Sequence, residues 1–195
     1  MKERIKQIQH KVGVAEDGII GPITIEAICS ALHVPAAPPL WPTQAQVRSG
    51  ASCFGKPGNE ASLVSILPPY PLYFEGQQVR SIRVHQLIAP HVQKALSEVL
   101  EHYGLEEIHR LGLDVYGGSY AYRATTSGKS LSMHAWGIAL DFAPEANAYS
   151  MRRPRASLSA EACRPWWEIW ESHGAVSLGR KCDYDWMHLQ FARLS

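Results

Sequence analysis

Two stretches of the chain hold residues whose types and spacing could build a metal-assisted hydrolytic site. They are Ser132-Met133-His134-Ala135-Trp136-Gly137-Ile138-Ala139-Leu140-Asp141-Phe142 and Asp185-Trp186-Met187-His188. Successive side chains of an extended chain point to opposite faces. Ile138, Leu140 and Phe142 therefore share an apolar face, and Ala139, Asp141 and Ala143 share the other. By the same parity Met187, Leu189 and Phe191 fall on one face and Trp186, His188 and Gln190 on the opposite one. Asp141 and His188 are thus expected on the non-core face of neighbouring strands, with small alanines leaving room beside the carboxylate. His134 precedes Asp141 by seven residues. On one continuous helix the two would stand about 10 Å apart along the axis, beyond a shared metal with bonds of ~2.0–2.2 Å. On one continuous strand they would face opposite ways. Gly137 resolves the conflict as a turn that folds His134 back over the strand carrying Asp141. Two imidazoles and a carboxylate with an open fourth position describe a catalytic zinc set. The bland alternative for any one of the nine histidines is a buried ring hydrogen-bonded to an acid.

Such a set needs a frame. From Ile82 to Tyr103 a helical period predicts a helix, with Leu87, Val92, Leu96, Val99 and Leu100 apolar and Gly104 as its stop. His85, His91 and His102 along this run match no ligand spacing and are expected at the surface or core edge. Leu113 to Tyr122, with Gly117-Gly118 inside it, reads as strand and turn leading to Arg123, and Thr125 to Lys129 as a polar loop at the cleft rim. Ser157-Leu158-Ser159-Ala160-Glu161 is patterned as a capped helix start. The helix beyond it, ending near Gly174, carries Trp166, Trp167, Ile169 and Trp170. That cluster is expected to be core rather than a sugar-stacking platform. His173 follows within possible reach of the cleft. Cys182 and Ser132 have no base arranged beside them, which disfavours thiol and serine hydrolase chemistry.

The 195 residues allow one ordinary domain plus a small module, and 46% hydrophobic content is enough for a core. Nineteen basic against eighteen acidic residues leave a formal charge of +1, with no basic run beyond Arg152-Arg153. Nothing there predicts a nucleic-acid footprint. No apolar run approaches the length of a membrane span. Met1 to His10 is charged throughout, so no secretory signal is expected. Cys29, Cys53, Cys163 and Cys182 form no Cys-x-x-Cys pair and are read as reduced thiols, with Cys29 and Cys163 packed in helices.

Three segments follow from composition. Residues 1–34 form a small helical module: Ile5, Ile8 and Val12 mark one amphipathic helix, and Pro22 opens a second run from Thr24 to Leu32. Residues 35–61 are rich in proline and glycine and read as linker, although Leu40 and Trp41 are large enough to dock on a domain. Residues 62–195 form the domain that holds the site.

The pattern Ser132-Met133-His134-Ala135-Trp136-Gly137-Ile138-Ala139-Leu140-Asp141, followed by Asp185-Trp186-Met187-His188, resembles the signature of the zinc D,D-peptidase family. That family includes D-alanyl-D-alanine carboxypeptidases and dipeptidases, and the L-alanyl-D-glutamate endopeptidases used as phage endolysins. The resemblance covers roughly residues 80–193. It implies an α+β fold in which a small antiparallel sheet with flanking helices carries the zinc site, as in Hedgehog and D,D-peptidase domains. It implies one zinc ion held by His134, Asp141 and His188, a general base at Asp185, and a substrate-polarising arginine at Arg123. Many relatives have glutamate where Asp185 stands, and the shorter acid resembles the endolysin branch. Ser132 either hydrogen-bonds beside the metal, as a substrate-binding residue, or stabilises the local turn. A second pattern, Ile8-Gln9 … Val12-Gly13-Val14 … Asp17-Gly18-Ile19-Ile20-Gly21-Pro22 … Thr24 … Ala27-Ile28, resembles the helical peptidoglycan-binding module found beside cell-wall hydrolases. A plain helical hairpin is the alternative.

Together these features predict a zinc-dependent peptidoglycan peptidase of endolysin type, a monomer with bacterial peptidoglycan as its partner. It would be made in the cytoplasm and reach the wall by holin-type or lysis-dependent release. The rival within the class is a D-alanyl-D-alanine carboxypeptidase; the rival from another class is a non-catalytic wall-binding protein. Manganese or cobalt could occupy the same ligand set in vitro.

Overall fold

The computed structural model describes residues 1–32 and 40–194, and the chain divides into two compact units, Met1–Pro38 and Pro39–Ser195. The expected module boundary at residue 34 and the prolines Pro35, Pro38 and Pro39 lie outside the described residues.

The first unit is a helical pair, α1 (Lys2–Lys11) and α2 (Pro22–Ala31). Pro22 takes the first turn of α2, where its missing N–H costs nothing. The buried centre differs from the apolar stripe that the sequence predicts. Ile8 is 41% exposed, whereas Gln9 is fully buried. The Gln9 amide donates to Asp17 Oδ1 at 2.7 Å and to the Ile19 carbonyl at 2.9 Å, and its Oε1 accepts from the Gly18 amide at 2.8 Å. A fully partnered polar side chain can hold the turn between two helices without the desolvation penalty of a lone one.

The second unit begins earlier than expected. From Trp41 onward, the segment read as linker is folded onto this unit. Thr43 and Gln46 form a reciprocal capping box at α3 (Gln44–Arg48). Val47 and Phe54 are buried in the core, and the Trp41 ring packs 5.5 Å from Phe54 and 6.1 Å from Phe191. The Gln44 amide donates to the Arg193 carbonyl at 2.8 Å, and the Arg193 amide donates to the Pro42 carbonyl at 3.0 Å. Proline and glycine content sets local backbone shape, but large apolar side chains gain by leaving water, and here that gain decides. Leu40, grouped with Trp41 on size, stays 83% exposed.

Next come two antiparallel pairs, β1 (Leu63–Ile66) with β4 (Ile82–His85), and β2 (Leu72–Phe74) with β3 (Gln77–Val79). Ile82 to His85 is therefore strand, where the period predicts helix: Ile82 and Val84 are buried and alternate with exposed Arg83. The helical span α4 (Ala89–Leu111) is broken where a stop is expected, at Gly104 (φ 68°, ψ 167°), and a second helical stretch follows directly and ends at Gly112 in the left-handed conformation.

The site rests on a four-stranded antiparallel sheet of order β5-β6-β8-β7, formed by Tyr116–Gly118, Ala139–Phe142, His188–Gln190 and Val176–Ser177. One face packs on α5 (Arg164–Ser172), whose Trp166, Trp167 and Trp170 are buried, with Phe142 5.3 Å from the Trp166 ring and 5.8 Å from the Trp170 ring. Those tryptophans are core, as expected. Ser157 does not cap this helix. Two short 3-10 turns intervene, and Ser157 Oγ accepts instead from Asn147 Nδ2 at 2.9 Å. A last helix, α6 (Leu178–Cys182), leads back to β8. Helices combined with small antiparallel sheets make this an α+β arrangement. All four cysteines are free thiols. Among the described residues no helix is long and apolar enough to cross a membrane.

Candidate metal centre

β6 and β8 are neighbours, and their register sets Asp141 directly opposite His188. Cross-strand partners on one face bring their side chains together. His134 arrives from a 3-10 turn, Met133–Trp136, that stops at Gly137 with φ 67° and ψ 28°. This is the reversal expected at that glycine. The result is a buried triad. His134 Nε2 lies 3.2 Å from Asp141 Oδ2 and 3.2 Å from His188 Nδ1, and His188 Nδ1 lies 3.0 Å from Asp141 Oδ1.

The outer nitrogens of both rings decide what the inner ones offer. His134 Nδ1 lies 2.8 Å from the Ser119 carbonyl, an acceptor, so that nitrogen carries the proton. His188 Nε2 faces Gln190 Oε1 at 3.2 Å, and Gln190 uses its Nε2 to donate to the Ala192 carbonyl at 2.6 Å. Its oxygen must therefore accept. With both rings neutral, two bare imidazole nitrogens and a carboxylate converge with no hydrogen between them. That is unfavourable unless a cation lies between them. Tetrahedral ligands on bonds of ~2.0–2.1 Å stand roughly 3.3–3.4 Å apart, close to the separations here. The residues fit a zinc-type ion with little movement, and His134, Asp141 and His188 could hold one.

Without a metal, a proton has to fill that gap. Burial opposes charge on Asp141, but hydrogen bonds from His134 and His188 outweigh it and hold the carboxyl well below its usual range. Burial also favours a neutral His188; the hydrogen bond and charge of Asp141, with Asp185 behind them, outweigh it and raise that ring above its usual value.

Asp185 sits in the turn before β8, three residues ahead of His188. Its backbone is left-handed (φ 53°), its amide donates to the Tyr149 carbonyl at 3.0 Å, and its own carbonyl accepts from the His188 amide at 3.0 Å. Burial raises its carboxyl pKa, and the charge of Asp141 adds to this, only partly offset by His188; among the described residues its carboxyl accepts no hydrogen bond. A carboxylate so placed is free to exchange a proton. Arg123 is half-exposed, with Nη2 3.9 Å from Asp141 Oδ2. Ser132 Oγ accepts from the His134 amide at 3.4 Å, so its visible contact is the turn-stabilising one. It also borders the cleft, a space of about 240 Å³ reached by Arg123, Asp141, Asp185 and His188.

Two parity expectations fail near Asp185. Parity places Trp186 on the site face, but it is buried beside Trp167, with ring centroids 6.2 Å apart. Parity places Met187 on the core face, and it lines the cleft instead. The strand starts only at His188, and the left-handed residue before it resets the alternation. The four other histidines weighed in the sequence lie elsewhere. His85 is buried against Phe54, His91 lies edge-on to Trp41, His102 lies beside Tyr103, and His173 pairs with Glu98 at 2.9 Å, outside the cleft. Gln190 and the α3 residues Gln44 and Arg48 are cleft residues that carry no motif. Gln190 shares strand parity with His188, and that parity is the signal available for it.

Residues 125–191, which include the triad and Asp185, match the profile of a family described as D-alanyl-D-alanine carboxypeptidase. No curated protein and no solved structure shows a significant match to the chain.

Proposed function

We propose that the chain is a zinc-dependent peptidoglycan peptidase, built on a D,D-peptidase-like domain, that hydrolyses an amide bond of the cell-wall stem peptide. The observation that carries this reading is the convergence of three ligand atoms, from His134, Asp141 and His188, where Asp141 and His188 line a cleft beside a carboxylate with a raised pKa. His134, Asp141 and His188 would hold the ion, which supplies Lewis acidity towards water and the scissile carbonyl. Asp185 takes the proton of the attacking water on its carboxylate and returns it to the leaving amine. The Arg123 guanidinium, open to the cleft, stabilises negative charge that develops on the carbonyl oxygen. Ser132 keeps the His134 turn in place and lies where it can touch substrate.

Within this class the endolysin-type L-alanyl-D-glutamate endopeptidase is favoured by aspartate at position 185 and by residues 1–34, which resemble a wall-binding module. The carboxypeptidase reading is favoured by the description of the matching family. Mass spectrometry of purified peptidoglycan digested by the wild type, with EDTA and Asp185→Ala controls, separates them. New L-alanine C-termini paired with D-glutamate N-termini are expected. Loss of terminal D-alanine alone would move the protein to the carboxypeptidases, and absence of metal-dependent cleavage would leave a wall-binding protein.

A further inference from the structure

The short helix α3 lies outside the stretch that matches the family, yet it forms one wall of the cleft. Gln44 and Arg48 are one turn apart, a spacing that puts them on the same helix face, and both border the cleft. Their position is fixed by what holds α3. Gln44 Nε2 donates to Gln190 Oε1 at 3.1 Å, the same oxygen that faces His188 Nε2. The Gln44 amide is bonded to Arg193, and Val47 is fully buried. Arg48 therefore stands at a set offset from the triad, on a helix tied to His188 through Gln190.

The guanidinium itself is uncommitted. Its Nε donates to the Leu131 carbonyl at 3.2 Å, which fixes the plane and leaves both Nη groups without a partner among the described residues. Burial lowers its pKa, and among the described residues no carboxylate forms an ion pair with it. Arg123 contrasts with it, being beside Asp141. These two arginines are the permanently charged cations among the described residues bordering the cleft. A planar, permanently charged fork of this kind suits bidentate binding of a carboxylate.

We propose that Arg48 is a carboxylate-recognition subsite, through which the cleft selects peptides bearing a free carboxylate near the scissile amide. The proposal rests on the peptidase reading above and names a feature of its substrate. A stem peptide offers two such groups, the α-carboxylate of a γ-linked D-glutamyl residue and the C-terminal carboxylate, and the same fork would bind either.

Three synthetic stem tetrapeptides test this: one with both carboxylates free, one with the glutamyl α-carboxylate as carboxamide, and one with the C-terminal carboxylate as carboxamide. Each is assayed with the zinc-loaded full chain as wild type, Arg48→Lys and Arg48→Met. In wild type one of the two carboxamides should raise KM by about 10- to 100-fold with little change in kcat, the size expected for loss of a charged hydrogen-bonded pair. Arg48→Met should raise KM for the free acid by a similar factor and erase the preference, while Arg48→Lys keeps part of it. Wild-type discrimination that persists in Arg48→Met, or its absence in wild type, overturns the subsite. Calorimetry with the hydrolysis-deficient Asp185→Asn protein, with and without Arg48→Met, reads acid against carboxamide binding directly. Failure to turn over any peptide then counts against the peptidase reading alone, whereas equal binding of acid and carboxamide counts against Arg48. Unchanged zinc affinity in Arg48→Met shows that the cleft is intact.

Discussion

At the scale of single residues, the metal-free triad is a proton-binding site, and that has a measurable consequence. Asp141 is held ionised by its two histidine partners, and His188 is raised above an ordinary imidazole by that carboxylate. Zinc must displace the proton that His188 holds. Above the raised His188 pKa the ring is already neutral, and zinc affinity is flat with pH. Below it, affinity falls by about tenfold per pH unit for one displaced proton, and the fall begins above the usual imidazole value of 6.5. Competition titrations with a chelating dye across pH would measure the slope, and calorimetry in two buffers would count the protons. A flat profile through this range, with none released, refutes the assignment. The candidate ligands are legible in the sequence because strand parity puts Asp141 beside His188 and a turn at Gly137 returns His134 to them. Gln190 is not legible as a partner, since a neutral amide that fixes a tautomer has no distinctive spacing. Arg48 is invisible for a different reason: its importance depends on a helix that composition hides inside a proline-rich stretch.

At the scale of elements, the site depends on one reversal of direction. Gly137 is left-handed, and a Cβ there would lie 2.5 Å from Leu63 Cδ2 and 3.2 Å from the His85 amide nitrogen, a close approach to the β1–β4 pair. Gly137→Ala is therefore expected to destabilise the protein by about 1–3 kcal/mol and to weaken zinc binding, because His134 is carried by this turn. Gly50 is also left-handed (φ 79°), but a Cβ added there would meet nothing within 4 Å. Gly50→Ala should show only the backbone cost, about 1 kcal/mol, with zinc affinity unchanged. Urea unfolding and zinc competition on both variants make the comparison; equal zinc affinities would mean that the turn does not position His134. The turn at Gly137 can be inferred because no single helix or strand satisfies the His134–Asp141 spacing. Ile82 to His85 is mistaken for helix because its apolar–polar alternation runs for four residues only and is absorbed into the helical pattern that follows it. Gly104 does end a helical stretch, as a residue of its low helix propensity can; what the sequence does not show is that a second stretch follows directly and runs to Leu111.

At the scale of the whole molecule, each unit keeps a buried centre of its own, the Gln9 network in one and the tryptophan-rich core in the other. Composition alone puts the start of the second domain at residue 62, since glycine and proline dominate the stretch before it. The burial of Val47 and Phe54, and the packing of Trp41 on Phe191, move that start to the beginning of the second unit. Two truncations distinguish these boundaries. A chain starting at Pro39 retains every described residue that builds the core and the triad, so it should fold, bind zinc as the full chain does and hydrolyse soluble stem peptides at an undiminished rate. A chain starting at Ser62 loses the Phe54 and Val47 side chains from the core, with a cost of about 3–5 kcal/mol for a buried aromatic alone. It also loses Gln44, and with it the hydrogen bond to the Gln190 oxygen that orients His188. Gln190 itself is retained, so zinc binding is expected to weaken by less than the about 10- to 100-fold typical of losing the outer partner of a metal-ligating histidine. Thermal unfolding and zinc competition on the two truncated chains decide the matter. A chain from Ser62 with full-length Tm and zinc affinity would make residues 41–61 a dispensable cover, whereas loss of both, with the chain from Pro39 unaffected, makes that segment part of the domain that builds the site.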